Sequence, residues 1–116
     1  MRTIYISLPM AGHEDTVHER YLNAIREVFD LFKNEEIEIY GPINIKDFDD
    51  TGLTVEREHD WAWYMGRDIE TLLKCNTIYI TRGYLLSKGC RIEIATAQEA
   101  GISTYYSKDA NEALLR

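Results

Sequence analysis

The stretch from Asn76 to Gly101 leaves this chain few folds to choose from. Thr77-Ile78-Tyr79-Ile80-Thr81 is short, β-branched and aromatic, the composition of a buried strand. Arg82-Gly83-Tyr84 breaks it, and from Ser87 the apolar period becomes helical. Ser87 is a good N-cap and Gly101 a good stop. Strand, polar loop and helix in that order make half of a βαβ unit, and such loops commonly carry ligand sites.

The helix in this unit has an unusual inner stripe. Steps of three and four from Cys90 meet Glu93, Ala97, Ala100 and Gly101, small residues suited to close packing on a sheet. Glu93 is the one charge on that stripe. An inward carboxylate is costly unless it is paired or used. Pairing with an arginine or a hydroxyl is the plain explanation, and catalysis is the sharper one.

The rest of the chain repeats the alternation. Thr3–Leu8 reads as a central strand ended by Pro9. A long helix follows from about Asp15, with Val17, Tyr21, Ala24, Ile25, Val28, Phe29 and Phe32 on one stripe, and ends at Lys33-Asn34. Ile37–Tyr40 is a second short strand, stopped by Gly41-Pro42. Residues 43–58 read as a long loop with an acidic turn at 47–52, the kind that serves as a lid or binding loop. A second helix spans about Asp60 to Lys74, with Trp61, Tyr64, Met65, Ile69, Leu72 and Leu73 on its apolar side and Asp68 at the edge of it. Asp68 reads either as a boundary carboxylate or as a site residue. Ser103–Ser107 makes a last strand, and Ala110–Arg116 a short terminal helix.

This order predicts one α/β domain over residues 1–116, a small doubly wound parallel sheet of four to five strands in the flavodoxin-like order 2-1-3-4. Ligands bind beyond the carboxyl ends of such strands, at the switch point. That rule gathers Ser7 to His13, the loop after Gly41 and Thr81 to Gly89 at one end, with Glu93 facing the same crevice.

Composition narrows the ligand. A chain of 116 residues with 45% hydrophobic and 28% charged content is large enough for a core without disulfides or metal. Its net charge of −7, without a Lys/Arg cluster, argues against long nucleic acids and anionic membranes as partners. One small anionic ligand remains compatible, because helix-start N–H groups can hold a phosphate. Met1-Arg2-Thr3 leads straight into a strand with no signal peptide, and Cys75 and Cys90 read as reduced thiols, so a cytoplasmic location is expected. The cysteines and His13, His18 and His59 form no metal-ligand spacing, and neither metal nor cofactor is expected.

Three segments carry a resemblance. Ile4-Tyr5-Ile6-Ser7-x-Pro9-Met10-x-Gly12, Arg67-Asp68 followed by Leu72-Leu73-x-Cys75-Asn76, and Ser87-Lys88-Gly89-Cys90-x-x-Glu93-x-x-x-Ala97 resemble the DUF4406 family over roughly residues 3–106. That group is in turn similar to the nucleoside 2-deoxyribosyltransferase superfamily, which includes deoxynucleoside monophosphate N-glycosidases. The resemblance implies that Glu93 is the nucleophile attacking the anomeric carbon to form a covalent glycosyl-enzyme, which water or a second base then resolves. It implies that Asp68 holds the sugar or assists protonation of the leaving base, and that Tyr5 touches the glutamate or the sugar. Ser7, Pro9, Met10 and Gly12 become substrate-loop residues. Ser87, Lys88 and Gly89 are placed at the helix start for a 5′-hydroxyl or 5′-phosphate. Asn76, where the superfamily usually carries aspartate, is read as structural. A homo-oligomer, dimer or higher, is implied too, with the Trp61/Trp63 helix as a candidate interface.

Two further functions compete with this one. A nucleotide-binding or sensing domain would keep the fold and pocket without turnover. A cysteine enzyme built on Cys90 would exploit the helix dipole to lower the thiol pKa, but no histidine partner is evident in the sequence.

Overall fold

A computed structural model describes residues 1–42 and 60–114. The acidic loop expected over 43–58 lies outside these residues. The elements run β1 (Arg2–Ser7), a 3₁₀ turn (Glu14–Thr16), α1 (Val17–Leu31), β2 (Ile37–Tyr40), α2 (Trp61–Leu72), β3 (Thr77–Ile80), a second 3₁₀ turn (Tyr84–Leu86), α3 (Lys88–Glu99) and β4 (Ser103–Tyr106). The sheet is four-stranded and all its pairings are parallel, in the order β2-β1-β3-β4. The expected doubly wound α/β architecture is therefore present, and its switch point falls between β1 and β3.

Each central strand serves two faces. In β1, Ile4 and Ile6 pack with Val17, Ala24, Val28 and Phe32 under α1. Tyr5, one residue out of phase, packs with Ile78, Ile80, Leu72, Ile94 and Ala97 under α2 and α3. The period-2 alternation thus survives inside a run that is apolar throughout. Helix caps follow the local sequence. Asp60 accepts from the Trp63 N–H and starts α2, and Ser87 accepts from the Cys90 N–H and starts α3. Gly101, at φ +72°, ends α3 by donating its N–H to the Gln98 carbonyl.

Three expectations need correction. Phe29 is 55% exposed, because it lies about 100° around the helix from buried Val28 and past the edge of a narrow sheet. Trp61 and Leu73, placed on the apolar side of α2, are also exposed, standing at the first turn and just past the last residue of the helix. The terminal helix expected from Ala110 does not form over the described residues. Ser107 and Asp109 close a turn on each other at 2.8 Å, and the carbonyls of Ala110 and Ala113 accept instead from Gly83 and Arg82 of the β3–α3 loop. These bonds hold the segment against the β3–α3 loop in a turn conformation.

Asn76 is structural, as read from the sequence. Its Oδ1 accepts from the Thr3 N–H (3.0 Å) and the Thr77 hydroxyl (3.0 Å), and its Nδ2 donates to the Met1 carbonyl (3.1 Å). An aspartate could not supply that last donor. These bonds tie β1 to β3 at the amino end of the sheet. Asn76→Ala is expected to lower unfolding free energy by about 1–2 kcal/mol in urea titration. An unchanged midpoint would remove this role. Among the described residues no helix is long and apolar enough to cross a membrane.

Candidate active site

At the carboxyl end of β1, two hydroxyls two residues apart share one face of the strand, as the strand period requires. The Tyr5 hydroxyl donates to Glu93 Oε2 at 2.6 Å, and the Ser7 hydroxyl donates to Glu93 Oε1 at 2.7 Å. Glu93 comes down on them from α3, a turn and a half in from the helix start. Only 3% of Glu93 is exposed, and Tyr5 and Ser7 are fully buried. The inward carboxylate that the stripe predicted has therefore found hydroxyls, not an arginine.

Electrostatics here favour a proton on Glu93. Burial pushes its pKa up from 4.5 to about 8, the Tyr5 and Ser7 hydrogen bonds pull it down, and nearby Asp68 pushes it up again. Tyr5 is driven well above its ordinary value, first by burial and then by Glu93, so it stays a donor.

A cavity of about 240 Å³ opens over this carboxylate. From α2 come Trp61, Tyr64, Met65 and Asp68, a set at helical spacing that turns one face toward the cavity. From the start of α3 come Ser87, Lys88, Gly89 and Cys90, and from the β1 loop Leu8, Met10 and Ala11. Asp68 is 7% exposed, a second buried carboxylate in the same wall. The Lys88 ammonium stands 4.9 Å from the Trp61 ring centroid. A methyl group on Gly89 would meet Met65 Sδ at 3.6 Å, an ordinary contact, so the fold does not require glycine there.

The structure thus brings Glu93, Asp68, Met10, Ser87, Lys88 and Gly89 to one cavity, with Tyr5 and Ser7 beneath Glu93. Pro9 and Gly12 are not in its lining; Pro9 is buried, and Gly12 turns the loop at φ +82°. Ser87 spends its oxygen on the Cys90 N–H at 3.2 Å. The thiol of Cys90 is pushed up to about 12, mainly by burial and then by Glu93, which overrides any help from the helix dipole. A buried thiol kept protonated in this way is a weak nucleophile, which counts against the cysteine reading. Among the described residues no group of three or more His, Cys, Asp or Glu is arranged to hold a metal ion.

Sequence reasoning treated Trp61 as core or interface and passed over Tyr64 and Met65 as lining. Their signal was present: positions 61, 64, 65 and 68 share one helical face with a carboxylate on it.

Comparison with known proteins agrees with this geometry at the level of fold. The family described as "Domain of unknown function (DUF4406)" matches residues 2–106. No functionally curated protein matches the chain. A solved structure, a 2-desoxiribosyltransferase from Leishmania mexicana, matches with a TM-score of 0.61 at 21% identity, covering 91% of this chain. The chain spans 63% of that protein's length.

Proposed function

The chain belongs to the DUF4406 family, and from that premise we propose that it cleaves the N-glycosidic bond of a nucleoside, deoxynucleoside or corresponding 5′-monophosphate, by hydrolysis or by transfer. The observation that carries this reading is a buried carboxylate, Glu93, held on both oxygens by Tyr5 and Ser7 beneath a cavity that also contains Asp68. The fold shared with a 2-desoxiribosyltransferase supports it.

The chemistry follows from the residues. A Glu93 oxygen attacks C1′ of the sugar while the C1′–N bond breaks, and the bonding pair leaves with the base. Asp68 is the group assigned to deliver a proton to the departing base. Water, or a second base, then attacks C1′ from the opposite side and the pair in the ester C–O bond returns to Glu93. From either acceptor, the O–H of water or the ring N–H of a second base, Asp68 takes the proton back. Trp61, Tyr64 and Met65 give the base an apolar wall, and Lys88 supplies the cation facing an otherwise acidic interior.

The nucleophile must be ionised, and in the empty site Glu93 holds its proton up to about pH 8. The acid limb of kcat/KM, which reports the free enzyme, is therefore expected near pH 8 rather than near pH 4–5. A profile flat down to pH 5 would mean that Glu93 is already ionised in the free enzyme and that burial does not set its proton affinity. The assay that tests the function is chromatography of free base after incubation with deoxynucleosides, ribonucleosides and their 5′-monophosphates. Binding without base release from any of them would assign the cavity to nucleotide sensing.

A further inference from the structure

We propose that Ser7 is a positioning residue for Glu93, whose hydroxyl fixes the Oε1 side of the carboxylate and favours its ionised, departing form; the catalytic part of this rests on the glycosyl-transfer reading above. The sequence placed Ser7 among the residues that touch substrate. Its surroundings place it elsewhere.

Ser7 is fully buried, and its Oγ lies 2.7 Å from Glu93 Oε1. Its carbonyl is also held, accepting from the Thr81 hydroxyl at 2.8 Å and the Thr81 N–H at 3.3 Å. The side chain therefore stands on a backbone pinned to the end of β3. Tyr5 alone would leave the carboxylate free to swing about its bond to Oε2. A second donor on the other oxygen fixes the plane.

The two donors also act on charge. Hydrogen bonds to a carboxylate favour its ionised form, opposing the burial that favours the proton. Of the other groups facing Glu93, Asp68 on α2 opposes ionisation and Cys90 stays protonated. Lys88 lines the same cavity, while the Arg20 charge acts on Cys90. Ser7 and Tyr5 are thus the hydroxyls that lower the proton affinity of Glu93. In the second half of the reaction the carboxylate is the leaving group, and a less basic carboxylate leaves faster. Losing Ser7 would slow that half most, because water must then displace a more basic, less stabilised group.

The test is direct titration of Glu93. The side-chain carboxyl carbon signal, assigned by its disappearance in Glu93→Gln, is followed against pH by carbon NMR in wild type and Ser7→Ala. The midpoint is expected to rise by about one pH unit or more in Ser7→Ala, the size of one hydrogen bond to a charged group. An unmoved midpoint overturns the proposal. Should Ser7→Ala fail to fold, Ser7→Cys keeps a weaker donor and is expected to shift the midpoint in the same direction by less. Turnover gives the second readout. Ser7→Ala is expected to lose kcat with a parallel fall in KM, to move the acid limb upward, and to accumulate a glycosyl adduct on Glu93 by intact mass. A loss of kcat with neither adduct nor limb shift would mark a merely structural serine and overturn the role. If the wild type releases no base from any substrate, the glycosidase reading fails, and the titration still decides whether Ser7 sets the state of Glu93.

Discussion

Glu93→Gln is expected to abolish base release, by on the order of 10³-fold or more in kcat, the scale seen when a covalent nucleophile is removed. Glutamine keeps the shape of the side chain and one acceptor oxygen for Tyr5 or Ser7. Its amide group can donate to the other hydroxyl, since a hydroxyl accepts as well as donates. The site should therefore stay folded and keep its affinity for nucleoside, and only the bond-forming oxygen is lost. Base release by chromatography, with nucleoside affinity by calorimetry on the same protein, separates the two. Release within tenfold of wild type would show that another group attacks the sugar. Loss of both release and binding would show that Glu93 holds the ligand, not that it reacts with it.

The same substitution should change how stability depends on pH. An unfolded glutamate has an ordinary value of 4.5, and the folded site holds its proton to about 8. Because the folded value is raised, the native state binds the proton more tightly than the unfolded chain does. This contribution to stability is fully present below pH 4.5 and is lost as pH rises through 8. Glutamine cannot ionise and does not lose it. Glu93→Gln should match wild type near pH 5 and exceed it by on the order of 3–5 kcal/mol at pH 9. Both proteins carry the same general acidic repulsion apart from this one group, so the difference between them isolates Glu93. Urea unfolding of the pair across pH 5–9 measures it. Parallel curves would mean that Glu93 is ionised in the native state throughout, and that burial does not dominate its surroundings.

Both outcomes come from one arrangement. A carboxylate taken from water and held by neutral hydroxyls is poorly stabilised as an anion. That is a cost in the empty protein above neutral pH. In the proposed reaction it becomes an advantage, because the oxocarbenium character that develops at C1′ supplies the missing positive charge. A site that trades stability for reactivity in this way is consistent with the general conflict between the two.

The sequence by itself determined the layering of this protein. Buried β-branched runs at 77–81 and 3–8, a helical stripe from Val17 to Phe32, and caps at Asp60, Ser87 and Gly101 are local signals, and local geometry follows from them. Their alternation led to the parallel sheet and its 2-1-3-4 order, because crossovers between parallel strands admit few topologies. Glu93 was legible for a similar reason, as one charge on an apolar stripe. The fate of individual side chains was not legible. Whether Phe29, Trp61 and Leu73 are covered depends on what packs beside them, and whether Ala110 opens a helix depends on the loop its segment is held against. Ser7 is the clearest case. From the chain it is one more polar residue at the end of a strand beside a ligand loop. Only the packing of α3 across β1 places its hydroxyl 2.7 Å from a glutamate 86 positions away. Period and caps are properties of neighbours in sequence, whereas burial, hydrogen-bond partners and proton affinity are properties of neighbours in space.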